Sequence, residues 1–297
     1  MSLATWFIAT RPWSLVMTVV STCLAGLLAY SYGVFSPFLF LLVLVGLVTA
    51  HVAANMANDY FDVEHGVDTQ SPASQHRPHP LLGGELDKQT YKTVVAALYS
   101  TGMLIGLAIA WIRGPIVLIL AAAGAFLGYF YTADPVKLKH KALGEASVFL
   151  AFGPLMVGGA FYAITGALEW KPFLAAVPTG LFVSLVLLAN NIRDKEFDAH
   201  HGIKTIATNK DTPTGISIYS LVLVAAYAST LALIAVGFLS PFTFITLLSA
   251  VEARRLLKGF HEEFPPNADQ LTSQLMTRFS LLLLAGEALG MVASQLL

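Results

Sequence analysis

The chain has 297 residues, of which 56% are hydrophobic and only 12% are charged, and its net charge is −1. Soluble domains usually carry about 25% charged residues, so this chain has roughly half the charge expected of a water-exposed surface. The composition excludes an ordinary soluble enzyme, a disordered protein and a nucleic-acid-binding protein, and it favours a helical membrane protein with several spans.

The predicted elements are nine apolar runs, each near the length of about 20 residues that spans a bilayer as a helix. In chain order they are Trp13–Tyr32, Pro37–Ala57, Tyr91–Trp111, Pro115–Tyr131, Ala146–Ala167, Pro172–Asn191, Gly215–Phe238, Pro241–Leu256 and Thr272–Leu296. The eighth run is the weakest, because it is short and carries Glu252, Arg254 and Arg255 near its end. We expect the first run to be a retained helix and not a signal peptide.

Short links alternate with long polar loops between these runs. The long loops are Asn58–Thr90, Thr132–Glu145, Ile192–Thr214 and Leu257–Leu271. With nine spans, the N-terminus and these loops fall on one side and, with the flanking helix ends, carry 15 of the 17 basic residues. Only Arg113 and Lys171 lie on the other side. The positive-inside rule therefore predicts a multi-pass cell-membrane protein whose N-terminus and long loops are cytoplasmic.

Two polar segments are similar when they are offset by 136 residues. Their identical pairs are Asn55 and Asn191, Phe61 and Phe197, Asp62 and Asp198, His65 and His201, Gly66 and Gly202, and Thr69 and Thr205. The segments follow the second and the sixth runs, so they stand at equivalent helix ends. We predict one all-α domain over 1–297, built from two four-helix pseudo-repeats and one extra helix. The predicted units are the pseudo-repeats over about 10–145 and 146–271 and the extra helix over 272–297.

The repeated segments carry polar stripes, because residues at i, i+3, i+4 and i+7 share one face of a helix. The stripes are Asn55, Asn58, Asp59 and Asp62 in the first segment, and Asn190, Asn191, Asp194 and Asp198 in the second. Such oxygens suit Mg²⁺, which is usually held by one or two carboxylates together with substrate phosphate. Two facing stripes therefore favour a diphosphate that is bound through Mg²⁺.

Basic residues near the stripes could neutralise phosphate groups directly. They are Arg77, Lys137, Lys139, Arg193 and Lys204. The alternative interpretation is that the acidic residues are only solvated helix ends. Ionisable residues that reach the membrane zone are costly and usually functional, which favours a site.

At these positions the sequence resembles the UbiA superfamily of intramembrane aromatic prenyltransferases, which has two aspartate-rich motifs at the ends of the second and sixth of nine helices. The first motif is matched by Asn55-x-x-Asn58-Asp59-Tyr-Phe-Asp62 with Gly66-x-Asp68-Thr69. The second is matched by Asn190-Asn191-x-Arg193-Asp194-x-x-x-Asp198 with Gly202 and Thr205. With Arg11-Pro12 before the first helix, the resemblance covers essentially the whole chain.

Within the superfamily the sequence is most similar to the branch that prenylates 1,4-dihydroxy-2-naphthoate in menaquinone biosynthesis. Further shared stretches are Leu143-Gly144-Glu145 and Phe152-Gly153-Pro154-Leu155. That branch usually has Gly-Lys-x-Thr after the second motif, whereas this chain has Gly202-Ile203-Lys204-Thr205. The Tyr131-Thr-Ala-Asp-Pro135 stretch is followed by three lysines, which is also a departure.

The resemblance implies a polyprenyl diphosphate donor and an aromatic acceptor, whose ring attacks an allylic cation and releases a proton or carbon dioxide. With dihydroxynaphthoate the product is demethylmenaquinone. The implied Mg²⁺ ligands are Asn58, Asp62, Asp194 and Asp198, and the implied catalytic residues are Asp59, Asp62, Asp194 and Asp198. The expected substrate-binding residues are Asn55, Asp68, Arg77, Tyr131, Lys137, Lys139, Asn190, Asn191, Arg193 and Lys204. The chain is embedded in membrane lipid, and no nucleic acid or obligate protein partner is expected.

Two alternatives to this function stay open. The acceptor could instead be 4-hydroxybenzoate, haem or a glyceryl phosphate lipid. In a different class, the protein could be a transporter, but transporters place their sites near the bilayer midplane on broken helices. The carboxylates of this chain cluster at helix ends on one side, which favours the enzyme.

Other polar residues allow a structural interpretation. Tyr131 could be an interfacial aromatic residue. His51 and Glu287 lie within apolar runs and are expected to pack against polar neighbours, with a site role as the alternative. His79 is expected to be a loop residue, with diphosphate contact as the alternative. Three glycines of the fifth run are expected to allow close helix packing, namely Gly153, Gly158 and Gly159.

Overall fold

The computed structural model describes residues 2–67 and 79–296. Within these residues the protein is helical throughout and contains no β-strand, only an isolated bridge between Lys141 and Lys204. The predicted all-α class is confirmed.

Twelve α-helices make up the described part of the chain. They are α1 Leu3–Ala9, α2 Val16–Ser31, α3 Pro37–Glu64, α4 Lys88–Arg113, α5 Ile116–Tyr129, α6 Gly144–Leu150, α7 Met156–Thr165, α8 Trp170–Ala175, α9 Val177–His200, α10 Thr212–Ala235, α11 Ala250–Glu262 and α12 Ala268–Leu296. Three 3₁₀ helices cover Pro12–Ser14, Leu138–His140 and Pro241–Ser249.

Seven helical segments of the described residues are long and apolar enough to cross a membrane. They are Pro12–Ser31, Pro37–Glu64, Lys88–Arg113, Gly144–Thr165, Trp170–His200, Thr212–Ala235 and Ala268–Leu296. The two remaining predicted runs have a different form. The fourth is the 14-residue helix α5, and the eighth is divided into a 3₁₀ helix and the amphipathic helix α11. The chain is therefore an integral membrane protein, and its described residues contain seven helices of spanning length and two shorter segments.

The helices α3 and α9 continue about two turns past the apolar runs that predicted them, ending at Glu64 and His200. The sequence placed the loops at Asn58 and Ile192, which is too early. The length of an apolar run predicts only the part of a helix that lies in lipid. It does not predict polar turns that continue the helix beyond the lipid. The polar stripes thus lie on regular helix.

Both helices end in the same way. A glycine in the left-handed region follows each end, Gly66 with φ 70° and Gly202 with φ 69°. Such a residue is the common C-terminal cap of a helix, because glycine has no Cβ to oppose a positive φ. In both places the next residue donates its N–H over 2.8 Å to the carbonyl of an aspartate, Asp62 in α3 and Asp198 in α9.

A π-helical turn, Ala151–Leu155, joins α6 to α7 inside the fifth predicted run. Pro154 lacks an N–H, and the backbone at Gly153 leaves the helical region. A Cβ at Gly153 would lie 2.9 Å from Cα of Gly180, so this segment and α9 touch at their backbones. The expected packing role is confirmed for Gly153 and for Gly158, which lies against Phe173.

The helices pack in two groups. In the first, α3 contacts α2, α4 and α5, and in the second, α9 contacts α6, α10 and α12. Glu287 in α12 accepts a hydrogen bond of 2.7 Å from the backbone N–H of Ser240, which agrees with the polar partner expected for it. The polar ends of α3 and α9 belong to different groups and meet at one cavity.

Candidate active site

A cavity of about 1170 Å³ lies between the two helix groups. Its polar end is formed by the last turns of α3 and α9 and by the loop between α5 and α6. Most of the remaining wall is apolar, with side chains such as Met103, Leu107, Leu118, Leu127 and Leu155. The cavity is larger than a typical small-molecule pocket and pairs one charged end with a long apolar compartment.

The first stripe contributes Asn55, Asn58 and Asp62 to the cavity wall. The amide of Asn55 donates to the carbonyl of Thr10 over 3.1 Å and to Oγ of Ser14 over 2.9 Å. The Oδ1 atom of Asn58 accepts a hydrogen bond of 3.0 Å from the Arg11 guanidinium. The stripe is thus held by the segment that precedes α2.

Asp59 does not line the cavity, although it was predicted to act with the stripe. It is buried, with 2% of its surface exposed, and forms an ion pair with Arg11. Nε2 of His79 lies 3.5 Å from its Oδ1, and the hydroxyl of Tyr91 donates to its Oδ2 over 3.4 Å. Asp59 therefore holds Arg11, which reaches the cavity.

The second stripe, with all four of its residues, lines the cavity from α9. Arg193 donates two hydrogen bonds to Asp194, from Nε to Oδ1 over 2.7 Å and from Nη2 to Oδ2 over 2.9 Å. The same guanidinium donates to Asp269 of α12 over 2.8 Å and to Oδ1 of Asn190 over 2.5 Å. A forked guanidinium bound to a carboxylate is a strong and directional contact. It fixes α12 to the polar end of α9.

Two buried acids of this half have contrasting contacts. Glu145, at the start of α6, accepts a hydrogen bond of 2.9 Å from the amide of Asn191. Asp198 makes no side-chain hydrogen bond or ion pair within residues 2–67 and 79–296, although only 6% of its surface is exposed. Asp62 and Asp194 are near enough to Asp198 to repel it electrostatically. Three carboxylates therefore face one space at the polar end.

The loop between α5 and α6 brings Tyr131 and Lys139 to this space. Nζ of Lys139 forms an ion pair of 2.9 Å with Asp62. Burial raises the pKa of the Tyr131 phenol, and the carboxylates of Glu145, Asp62 and Asp198 raise it further. The phenol therefore keeps its proton at neutral pH and can act as a hydrogen-bond donor.

Two predicted substrate-binding lysines lie outside the cavity wall. Lys137 pairs with Asp134 at 2.9 Å, and hydrogen bonds from Lys137 and His65 hold the pKa of Asp134 below its ordinary value. Lys204 is exposed, and its backbone pairs with Lys141. Asp68 and Arg77, also predicted to bind substrate, lie outside the residues that the structure describes.

The donor set at the polar end fits a hard divalent cation. Asn58, Asp62, Asp194 and Asp198 all line it, and the carboxylate of Asp198 has no cation of the described chain paired with it. Within residues 2–67 and 79–296, no three His, Cys, Asp or Glu side chains form a ready metal cage. Mg²⁺ commonly takes only one or two carboxylates and completes its shell with phosphate and water.

Several site residues were not predicted from the stripes. Arg11 and Glu145 were indicated as site residues only by the family resemblance, and Tyr91 and Asp269 were indicated by no motif. Each contacts a residue that is 32 to 76 positions away in the chain. Helical periodicity predicts which residues of one helix are neighbours. It does not predict contacts between residues that are so far apart in the chain. His51, in contrast, was predicted to pack against polar neighbours, with a site role as the alternative. It lines the cavity and contacts Thr18 and Ser14.

The sequence profile of the UbiA prenyltransferase family matches residues 19–264. The 1,4-dihydroxy-2-naphthoate octaprenyltransferase of Bacillus subtilis is 28% identical over 286 residues, which are 93% of this chain and 90% of that protein. The UbiA prenyltransferase domain-containing protein 1 homolog of Drosophila melanogaster is 32% identical over 235 residues, which are 77% of this chain and 64% of that protein.

Solved structures share the fold. A UbiA homolog from Aeropyrum pernix K1 without ligand has a TM-score of 0.73 at 19% identity, covering 95% of this chain and 98% of its own. A UbiA homolog from Archaeoglobus fulgidus bound to GPP and Mg²⁺ has a TM-score of 0.61 at 15% identity, covering 97% and 99%. Membership of a transferase family decides against the transporter alternative. The chain is an integral membrane prenyltransferase and belongs to the UbiA prenyltransferase family.

Proposed function

We propose that the protein transfers a polyprenyl group from a polyprenyl diphosphate to an aromatic acceptor, in a reaction that depends on Mg²⁺. The observation that carries this proposal is the cavity, where carboxylates from two helices share the polar end of a long apolar compartment. A prenyl diphosphate has the complementary form, with one strongly charged end and one hydrocarbon chain. The similar Archaeoglobus protein was solved with such a ligand, GPP, and with Mg²⁺.

The residues that would hold Mg²⁺ are Asn58, Asp62, Asp194 and Asp198. When bound, the ion supplies Lewis-acid stabilisation of the negative charge that develops on the leaving diphosphate. The protein adds its own cations. Lys139 and Arg193 lie at the same end of the cavity and can donate to phosphate oxygens. Tyr131, which keeps its proton, donates a further hydrogen bond.

The remaining predicted residues have supporting roles in this proposal. Asn55, Asn190 and Asn191 line the wall beside the phosphate groups, and Asp59 supports the site through Arg11. Asp68, Arg77, Lys137 and Lys204 are proposed to bind substrate. The assignment of Asp68 rests on its motif, and those of the three basic residues rest on their nearness to the stripes in the sequence.

The apolar compartment protects the reaction. Loss of diphosphate leaves an electron-poor prenyl carbon, which water would convert to an alcohol. A site that excludes water prevents this side reaction and leaves the acceptor ring as the nucleophile. The apolar side chains that line most of the wall provide that exclusion.

For the acceptor we propose 1,4-dihydroxy-2-naphthoate, because the Bacillus protein named for that substrate matches nearly the full length of this chain. The prenyl group replaces the carboxyl group, carbon dioxide leaves, and demethylmenaquinone forms in its reduced state. A different aromatic acceptor, such as 4-hydroxybenzoate, is the alternative within the family.

We also propose nine membrane segments, with α5 and the Pro241–Glu262 region as the two short ones. The N-terminus and the polar end of the cavity would face the cytoplasm, as the distribution of basic residues favours. The matching caps of α3 and α9 support two four-helix pseudo-repeats followed by α12.

The test is an acceptor panel with a labelled polyprenyl diphosphate and purified protein in lipid nanodiscs. We expect Mg²⁺-dependent release of diphosphate and labelled product with dihydroxynaphthoate, and neither in the presence of excess chelator. Product with another acceptor while dihydroxynaphthoate is inert would show the acceptor assignment to be wrong. Transfer that persists without divalent metal would show the metal assignment to be wrong.

A further inference from the structure

His51 is a polar residue in the wall of the cavity, deeper in the protein than the diphosphate end. It shares one face of α3 with Asn55, Asn58 and Asp62, since the spacings are four, seven and eleven residues. At a rise of 1.5 Å per residue, His51 lies about 10 Å along the helix from Asn58. The polar stripe thus extends from the diphosphate end into the apolar compartment.

The imidazole is held on three sides. Nδ1 lies 2.7 Å from Oγ1 of Thr18, and Nε2 lies 3.5 Å from Oγ of Ser14. The ring also meets Phe152 edge to face, with centroids 4.8 Å apart. One ring nitrogen therefore has a short hydrogen bond and the other has a long one.

The hydroxyl protons decide which nitrogen carries hydrogen. The only proton of the Ser14 hydroxyl goes to the carbonyl of Arg11, over 2.8 Å, so Ser14 can only accept from His51. Asn55 already donates to the same oxygen over 2.9 Å. Nε2 of His51 then bears a proton, and in the neutral imidazole Nδ1 accepts from the Thr18 hydroxyl. This leaves a weakly bound N–H at the cavity wall.

We infer that this N–H of His51 binds a phenolic oxygen of the acceptor ring. The inference rests on the proposed function and adds the residue that recognises the acceptor. The contact to Ser14 is long, so an acceptor oxygen can replace it with little loss. Phe152 lies beside the imidazole and offers an aromatic surface for the acceptor ring.

The surroundings favour a neutral oxygen over a carboxylate at this position. Of the cations of the cavity wall, Lys139 and Arg193 lie at the diphosphate end. Arg11 is near enough to His51 to interact with it electrostatically, but its charge is paired with Asp59. Phe152 lies against His51, and the apolar residues Met17 and Leu47 line the same cavity. A neutral hydrogen-bond donor in an apolar setting is sufficient to stabilise a buried hydroxyl. It does not offset the larger desolvation cost of a carboxylate.

The test compares dihydroxynaphthoate with two analogues that each lack one ring hydroxyl. Dissociation constants are measured for the full chain in nanodiscs with Mg²⁺ and a non-reactive prenyl thiolodiphosphate. We expect the wild type to lose roughly tenfold in affinity with one analogue, the size of one hydrogen bond. His51→Phe should bind that analogue and the parent acceptor equally well. His51→Gln, which keeps an N–H donor, should restore most of the difference.

Controls separate recognition from folding. The KM for prenyl diphosphate should stay within about twofold in both variants, and His261→Phe, an exposed histidine on α11, should behave like the wild type. Full discrimination retained in His51→Phe would overturn the inference, as would a parallel rise of the KM for prenyl diphosphate. A wild type that discriminates in binding but transfers no prenyl group would contradict the proposed function and leave the role of His51 supported.

Discussion

Nζ of Lys139 lies 2.9 Å from Oδ2 of Asp62, and this ion pair joins the loop between α5 and α6 to the end of α3. Both partners line the cavity, and the side chain of Asp62 is only 2% exposed. A diphosphate would draw the lysine toward its oxygens, while a divalent cation would draw the aspartate. Binding of the donor and of the metal would therefore each attract one partner and weaken the ion pair between Lys139 and Asp62.

Replacing Lys139 with methionine should weaken donor binding. The substitution keeps the apolar stem and removes the charge, so the KM for prenyl diphosphate should rise at least about tenfold, because charge-assisted hydrogen bonds are among the stronger ones. Initial rates over a range of donor concentrations measure the change. Lys141→Met, an exposed lysine two positions away, serves as the control. Equal kinetics in both variants would contradict a role of Lys139 in donor binding.

Asp198→Asn should reduce prenyl transfer by a factor of about a thousand or more, because it removes one of the negative charges that attract Mg²⁺ to the site. The protein should still fold, since the variant removes electrostatic repulsion from Asp62 and Asp194. The assay is Mg²⁺-dependent release of diphosphate, with gel filtration as the folding check. Glu196→Gln changes an exposed acid of the same helix and should retain activity. Near-normal turnover in Asp198→Asn would refute the metal site.

Arg193→Met should destabilise the folded protein. The change leaves Asp194 without its forked partner and breaks the link to Asp269, and breaking a buried ion pair costs about 3–5 kcal/mol. Thermal unfolding in detergent, followed by fluorescence, reports the loss. Arg278→Met breaks an exposed pair with Glu252, which should cost less than about 1 kcal/mol. The same shift in melting temperature for both variants would argue against a structural role for Arg193.

The stability of the protein should fall between pH 6.5 and pH 4, partly because of His140. Burial, together with the nearby positive charges of Lys139 and Lys137, lowers the pKa of His140 from 6.5 to about 4. In this window the unfolded chain takes up a proton that the folded protein rejects, so the free energy of unfolding decreases as the pH falls. His140→Gln should therefore show a smaller drop in melting temperature between pH 7 and pH 5 than the wild type. His261→Gln should match the wild type, and an unchanged pH response in His140→Gln would show that His140 is not the cause.

The sequence predicted the parts of the site that lie within single helices. Asn55, Asn58 and Asp62 follow the helical repeat, and the structure places all three on the cavity wall. The four residues of the second stripe were predicted from the same repeat, and they also line the cavity. Amphipathic spacing is local, so it can be read from the chain without knowledge of the fold.

The sequence did not predict what depends on the packing between helices. Asp59 has the helical spacing of the stripe, yet its side chain contacts Arg11 and Tyr91 and not the cavity. A polar face about 100° wide can contact two different surroundings at its two edges. The division of the eighth run into a 3₁₀ helix and α11 was also not predicted, since apolar composition does not distinguish the two kinds of helix. The π-helical turn at Ala151–Leu155 was not predicted either, because it depends on the contact with Gly180 of another helix.

The matching caps of α3 and α9 put Asp62 and Asp198 at corresponding backbone positions, but their charges are treated differently. Asp62 is neutralised by Lys139, whereas Asp198 has no ion-pair partner in the described part of the chain. Two helix ends with matching caps therefore carry different electrostatic environments. If a diphosphate binds between them as proposed, its ester-linked phosphate and its terminal phosphate would meet differently charged walls.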